Sequence, residues 1–172
     1  MQSDCKLPFP VVPTGRYRRG LLDAPDAFCV EGRPDYVMGR LDAHGLTATV
    51  PARTHPHRLY IESEHIWLYC HAIDALGAAL LDSTGTMPFV IFMRTMARHQ
   101  HLRLTPSGLY RGDNKIHGKT EEGIFKALGM PVIPPTDRNV KGKWHKWELW
   151  KKPEYAQLRR SIRSGASRRK QN

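Results

Sequence analysis

Thirteen prolines and fourteen glycines divide the 172 residues into short segments. Within those segments the apolar spacing switches between the strand period of two and the helical period of about 3.6. Residues 27–30 form a short apolar run of the buried-strand kind. Pro34 then opens a helix with Tyr36, Val37, Leu41 and Ala43 on its apolar side and His44-Gly45 at its end. Residues 46–50, 58–61 and 65–69 read as three further strands, the middle one alternating Leu59 and Ile61 with polar neighbours. Residues 73–81 and 87–100 read as helices, the second with Pro88 in its first turn. Two extended pieces, 102–104 and 108–110, flank a Pro-Ser-Gly turn. Thr120 caps a helix that runs to Leu128 and stops at Gly129, after which Pro131, Pro134 and Pro135 break the chain. The first fifteen residues, with Pro10, Pro13 and Gly15, read as irregular, and residues 114–119 as a polar, basic loop. The order β-α-β-β-β-α followed by α-β-β-α predicts an α+β plan of two small lobes.

Charge divides the chain differently. Eleven of the 27 Lys and Arg residues lie in 139–172, where the only acids are Glu148 and Glu154. A body of near-balanced charge with a basic extension is expected to meet polyanions. Within that extension Lys143, Lys146, Lys151 and Lys152 alternate with Trp144, Trp147 and Trp150. Indoles are costly to leave in water, so they dock on the body, on stacked bases or on a partner protein. The pattern alone leaves all three open.

No apolar run approaches the ~20 residues of a membrane helix. The amino-terminal stretch has no signal-peptide pattern, nor the basic, acid-free pattern of a mitochondrial presequence. Cys5, Cys29 and Cys70 are odd in number and widely separated, which predicts neither a disulfide framework nor a zinc module. The expectation is an intracellular protein without a membrane partner. The histidine pairs 55/57 and 99/101 lack a neighbouring cysteine or carboxylate at ligand spacing and read as surface residues. Cys29 and Cys70 read as small core residues.

Gly15-Arg16-Tyr17-Arg18-Arg19-Gly20, with Asp26 at the head of an apolar strand, resembles the opening palm motif of family X DNA polymerases, the relatives of DNA polymerase beta. The resemblance continues in order. Gly77-Ala78-Ala79-Leu80, Ser83-Thr84-Gly85-Thr86 and Arg94 follow one family stretch, and Gly108-Leu109-Tyr110 with residues 119–131 resemble the family's thumb. Ile133-Pro134-Pro135 and Arg138 are similar to the segment that ends that thumb. This similarity implies a nucleotidyltransferase-like palm over 1–83, with a mixed or antiparallel sheet and helices, and a small α/β thumb over 84–138. Residues 139–172 have no counterpart in the pattern and form a basic, Trp-rich extension. With so few residues ahead of the first motif, neither a lyase domain nor a fingers-like subdomain is expected.

The resemblance also implies a chemistry, and the residues at its positions depart from it. Two divalent metals held about 3.5–4 Å apart activate a 3′-hydroxyl, and hard Mg²⁺ takes carboxylate oxygens. Asp26 matches the first carboxylate of the family, but the second falls on Phe28 and the third on Trp67. Asp23 and Glu31 do not form an i, i+2 carboxylate pair with Asp26, and Glu62 and Glu64 lie near the turn before the strand of the third ligand, so none of them restores the set. The family's phosphate-holding serine is replaced by Arg16. The expectation is therefore a remnant Asp26, no metal site and no cofactor, Mg²⁺ returning only if the chain is an active enzyme.

Three readings follow. The first is a catalytically inactive, family X-like module for nucleic-acid binding or scaffolding. The second is a structural subunit of a large nucleoprotein assembly, such as a ribosome-like particle or a virion. The third is a minimal active nucleotidyltransferase with an unusual metal site. The expected partner is DNA or RNA, with a larger assembly as a further candidate. Arg16, Arg18, Arg19 and Gly20 are the candidate phosphate turn. Arg94, Lys115 and Lys119 of the thumb, and Lys143, Trp144, Lys146, Trp147, Lys151, Lys152, Arg159, Arg160, Arg163, Arg168, Arg169 and Lys170 of the extension, are the candidate nucleic-acid contacts.

Overall fold

The computed structural model describes residues 7–52, 57–160 and 162. Cys5, His55, Arg163, Arg168, Arg169 and Lys170 lie outside the described residues. Two sheets organise the chain. The first has five strands in the order β1-β2-β5-β4-β3, made of Val11–Pro13, Ala27–Glu31, Ile66–His71, Arg58–Ile61 and Ala48–Thr49. The β2–β5 pair is parallel and every other pair antiparallel. The second sheet is antiparallel, β6 (Arg103–Thr105), β7 (Gly108–Arg111) and β8 (Asn114–His117) in sequence order. The architecture is α+β, as the periodicity predicts, and its larger sheet is mixed.

Strand alternation sorts the large sheet into two faces. Leu59 and Ile61 of β4, Ile66 and Leu68 of β5 and Val30 of β2 turn to one face, where Val37 and Leu41 of α2 (Pro34–Asp42) cover them completely. Helix α2 forms because Pro34 supplies the preset first φ and Asp35 sits in the first turn. It ends where Gly45 takes a φ of +74° and Leu46 N–H bonds back to the Leu41 carbonyl at 3.0 Å. On the opposite face Cys29 packs beneath Ala79 and Leu80 of α3 (Leu76–Thr84), leaving Arg58, Tyr60, Trp67 and Tyr69 half-buried.

Helix α3 ties the two lobes together. No side chain caps it, and its first amides instead reach the second lobe: Gly77 N–H donates to Lys119 O at 3.0 Å and Ala78 N–H to Gly118 O at 2.9 Å. That approach requires glycine, because a Cβ on Gly77 would stand 2.2 Å from the Thr120 carbonyl carbon. The second core gathers Phe89, Phe92, Met93 and Met96 of α4 (Met87–His99), Leu109 of β7, and Ile124 and Phe125 of α5 (Glu121–Ala127). Thr120 caps α5 by accepting from Gly123 N–H at 3.2 Å.

Several boundaries differ from the sequence reading. The approach segment contains β1, which adds an edge to β2 despite its prolines. Pro13 is tolerated there because an edge strand leaves one row of backbone groups unpaired. The basic loop after β7 is itself strand β8, with a bulge in the β7–β8 register. Helix α3 begins at Leu76 rather than residue 73, and runs through the expected 83/84 lobe boundary. The extension is folded over its described part. Val140, Trp150 and Tyr155 are buried in the second core, with short 3-10 turns at Trp144–Lys146 and Pro153–Tyr155 and one turn of helix, α6 (Glu148–Lys151), between them. Among the described residues no helix is long and apolar enough to cross a membrane.

Candidate nucleic-acid interface

The glycine-flanked arginine turn is α1 (Gly15–Arg18), held between Gly15 at φ +64° and Gly20 at φ +72°. Its three arginines take three directions. Arg16 is 59% exposed and pairs with Asp26 at 3.1 Å. Arg18 turns inward, donating to Glu121 Oε1 at 2.9 Å and Thr84 Oγ1 at 3.1 Å, with a second bond to Glu121 Oε2. Arg19 donates to the Thr84 carbonyl, and its Nε is buried without a partner. Gly20 is exposed at the end of the turn. Of the expected phosphate turn, Arg16 and Gly20 face solvent, whereas Arg18 is committed to the join between lobes.

That join is a buried ionic hub the sequence reading did not find. Glu121 is 5% exposed and Arg138 1%. Arg138 also donates to Glu121, and its Nε and Nη2 donate to the Ile133 carbonyl at 2.9 and 2.7 Å. Burial pushes the Glu121 carboxyl up, but the hydrogen bonds and charges of Arg18 and Arg138 outweigh it and hold the group below its ordinary value. Beside the hub, Thr14 Oγ1 meets Ser83 Oγ at 2.6 Å and Thr84 Oγ1 at 2.9 Å, and Cys29 Sγ lies 3.4 Å from Ser83 Oγ. Burial pushes the Cys29 thiol up to about 11. Helix starts such as Thr120-Glu121-Glu122 are common in sequence, so no local signal marks Glu121 as the residue two arginines share.

The three positions expected to carry metal ligands do not converge. Phe28 stands in register with Leu68, on the α2 face, whereas Trp67 stands in register with Ala27, on the other. The Trp67 ring packs against Tyr60 across β4–β5, centroids 4.8 Å apart. The Asp26 carboxylate is engaged by Arg16, and its carbonyl accepts from Trp67 N–H at 3.0 Å. Among the described residues no three His, Cys, Asp or Glu side chains lie together as a metal site. The residues present do not fit a two-metal, carboxylate-held Mg²⁺ centre.

Arg94 is tied down as well. It donates to Asp82 at 2.8 Å, and Asp82 also accepts from Arg58 at 3.2 Å. Arg58 lies 5.1 Å over the Tyr69 ring. Lys115 pairs with Asp74 at 2.7 Å, which holds the Asp74 carboxyl below its ordinary value. Lys119 is exposed. In the extension the indoles face inward: Trp144, Trp147 and Trp150 surround Phe92, with ring centroids 5.4, 5.6 and 5.1 Å from it. Of the three destinations the sequence left open, the rings occupy the body. Arg159 donates to the carbonyls of Trp150 and Lys152, and Lys151 pairs with Glu148. Lys143, Lys146, Lys152 and Arg160 stay exposed around this aromatic plug.

Comparison with known proteins matches part of this chain. The DNA polymerase beta thumb family matches residues 79–139, from within α3 to the residue after Arg138. DNA polymerase IV of Saccharomyces cerevisiae is 30% identical over 78 residues, a stretch that covers 45% of this chain and 13% of that protein. The aligned stretch thus spans a small fraction of that relative's length. From within α3 through α4, the β6–β8 sheet and α5 to Arg138, the chain is similar to the DNA polymerase beta thumb, and the two matches together point to the family X DNA polymerases.

Proposed function

We propose that this chain is a family X-like palm–thumb unit that binds nucleic acid, as a binding or scaffold module, without polymerase chemistry. Residues 1–83 act as the nucleotidyltransferase-like palm, 84–138 as the thumb, and the extension as a cationic rim. The observation that carries the reading is the state of the three ligand positions. Phe28 and Trp67 offer no oxygen, they lie on opposite faces of the sheet, and Asp26 is paired with Arg16. Metal-assisted transfer needs several hard ligands around one point. Binding needs only surface cations, and the extension presents Lys143, Lys146, Lys152 and Arg160. Similarity to a polymerase thumb supports a nucleic acid as the polyanion. The binding itself requires no cofactor.

The test uses the full chain. Fluorescence anisotropy against gapped DNA, duplex DNA and structured RNA over a salt series should show binding whose logarithm falls linearly with log salt. Primer extension with Mg²⁺ or Mn²⁺ should show no incorporation. Metal-dependent incorporation that Asp26→Ala abolishes would overturn the reading.

A further inference from the structure

The half-buried face of β4–β5 carries an aromatic array that the interface described above does not use. Tyr60 and Trp67 are cross-strand partners, and one pair further along Arg58 faces Tyr69. All four side chains turn to the face opposite α2, where α3 packs on Cys29 and Tyr69 through Ala79 and Leu80 and leaves Tyr60 and Trp67 half-buried beside it. Trp67 and Tyr60 therefore hold their rings at a sheet surface, braced by each other and by a 3.1 Å contact from Tyr60 Oη to His65 Nδ1. Cations border the array. Arg58 lies over Tyr69 and Arg94 reaches the same patch through Asp82. Arg16 and Arg19 approach from α1, where the Trp67 amide bonds to the Asp26 carbonyl.

We infer that this face is a stacking platform for single-stranded nucleic acid, with bases on Trp67 and Tyr60 and the backbone led toward Arg58 and Arg94. The inference rests on the nucleic-acid reading above and names the form of ligand. Bases stack on exposed rings whatever their sequence, because every base has a π face, and open sheet faces bearing cross-strand aromatics suit that geometry. A duplex keeps its bases paired and cannot use the rings. Charge sets the direction of the strand. Both aspartates on this face, Asp26 and Asp82, are already held by arginines, so three guanidinium groups face two neutralised carboxylates. Glu62 and Glu64 sit in the β4–β5 turn beyond Tyr60 and Glu31 ends β2 opposite His71, which leaves the phosphates the Arg58 and Arg94 patch around Asp82. DNA and RNA single strands share the chemistry, and the experiment separates them.

The full chain, and its Trp67→Leu and Tyr60→Leu variants, should be titrated into fluorescein-labelled oligo-dT, oligo-rU and a short duplex. Thermal melts would verify that each variant stays folded, and Trp67→Phe, which keeps a ring, serves as the conservative substitution. The expected result is about tenfold weaker single-strand binding for each leucine variant, partial retention by Trp67→Phe and unchanged duplex binding. The arm with the larger loss identifies DNA or RNA. Single-strand binding that none of the variants alters would overturn the platform while leaving the nucleic-acid reading intact. An equal loss on duplex and single strand would do the same. Absence of binding to every nucleic acid would defeat both. Self-association of the wild type in sedimentation, abolished by Trp67→Leu, with no effect on oligonucleotides, would assign the face to a second copy and overturn the inference.

Discussion

Arg18 and Glu121, separated by 103 residues in the chain, meet in a two-pronged ion pair that joins the arginine turn of the first lobe to the start of α5 in the second. Glu121 also receives Arg138, so one carboxylate serves two guanidinium groups. The turn that its sequence marks as a phosphate grip thus contributes one arginine to holding the lobes together. A pair of this kind owes its strength to complete satisfaction: the desolvation of each ion is offset only while all partners stay in place.

Glu121→Ala should therefore destabilise the fold by about 3–5 kcal/mol, because it leaves Arg138 buried and unpaired. Arg18→Ala, which removes a partly exposed partner and leaves Arg138 on Glu121, should cost less. Urea titration followed by circular dichroism measures both, and equal losses would show that the hub does not centre on Arg138.

Acid should expose the same group. Glu121 has a lowered pKa in the fold, against an ordinary value of 4.5. As pH falls through 4.5 the unfolded chain takes up a proton that the folded chain refuses, so the unfolded state is favoured. The contribution of Glu121 is complete above that ordinary value and is lost progressively as pH drops toward and through its folded pKa. Glu121→Gln should flatten the acid limb of a stability-versus-pH curve while lowering stability at neutral pH. A limb of unchanged slope in Glu121→Gln would assign the acid sensitivity to other carboxylates.

Gly77→Ala should separate α3 from α5. Its added Cβ meets backbone atoms of Thr120 and Glu121 at 2.2 and 2.5 Å, where no side chain can swing aside. Overpacking of this kind costs about 1–3 kcal/mol. Hydrogen exchange at the Gly118–Glu121 amides should accelerate alongside the loss in stability. A thermal midpoint equal to that of the parent would contradict the close approach.

The extension should divide cleanly into stabilising rings and binding cations. Trp150→Ala removes a buried indole packed on Phe92 and Tyr155 and should cost about 3–5 kcal/mol. Lys143→Ala and Lys146→Ala remove exposed charges and should leave the melting temperature unchanged. Each should weaken nucleic-acid binding and lower the salt slope by about one for every phosphate left without its cation. A large loss of stability from the lysine changes would place them in the core instead.

Local pattern made much of this molecule readable. Residues 58–61 are the fourth strand at both ends because Leu59 and Ile61 alternate with polar neighbours, and Thr120 and Gly129 bracket α5 because caps are chosen by nearby backbone geometry. The motifs from Gly77 to Arg138 were legible through their resemblance to a family pattern, and the thumb similarity over 79–139 falls on them. Strand β8 was not legible. Its residues Asn114, Lys115, Ile116 and His117 are polar enough to pass for a loop, and pairing with β7 alone makes them a strand.

The sequence by itself determined most of the helices and strands, where charge accumulates and which residue types stand at the expected ligand positions. Those properties depend on neighbours in the chain or on composition. Tertiary structure alone decided that Arg18 turns inward to Glu121, that Phe28 and Trp67 part to opposite faces, and that three tryptophans close around Phe92. The physical reason is the same in each case. A periodic pattern tells which side of a segment avoids water, but strand register and long-range packing determine what covers that side and which charges meet there.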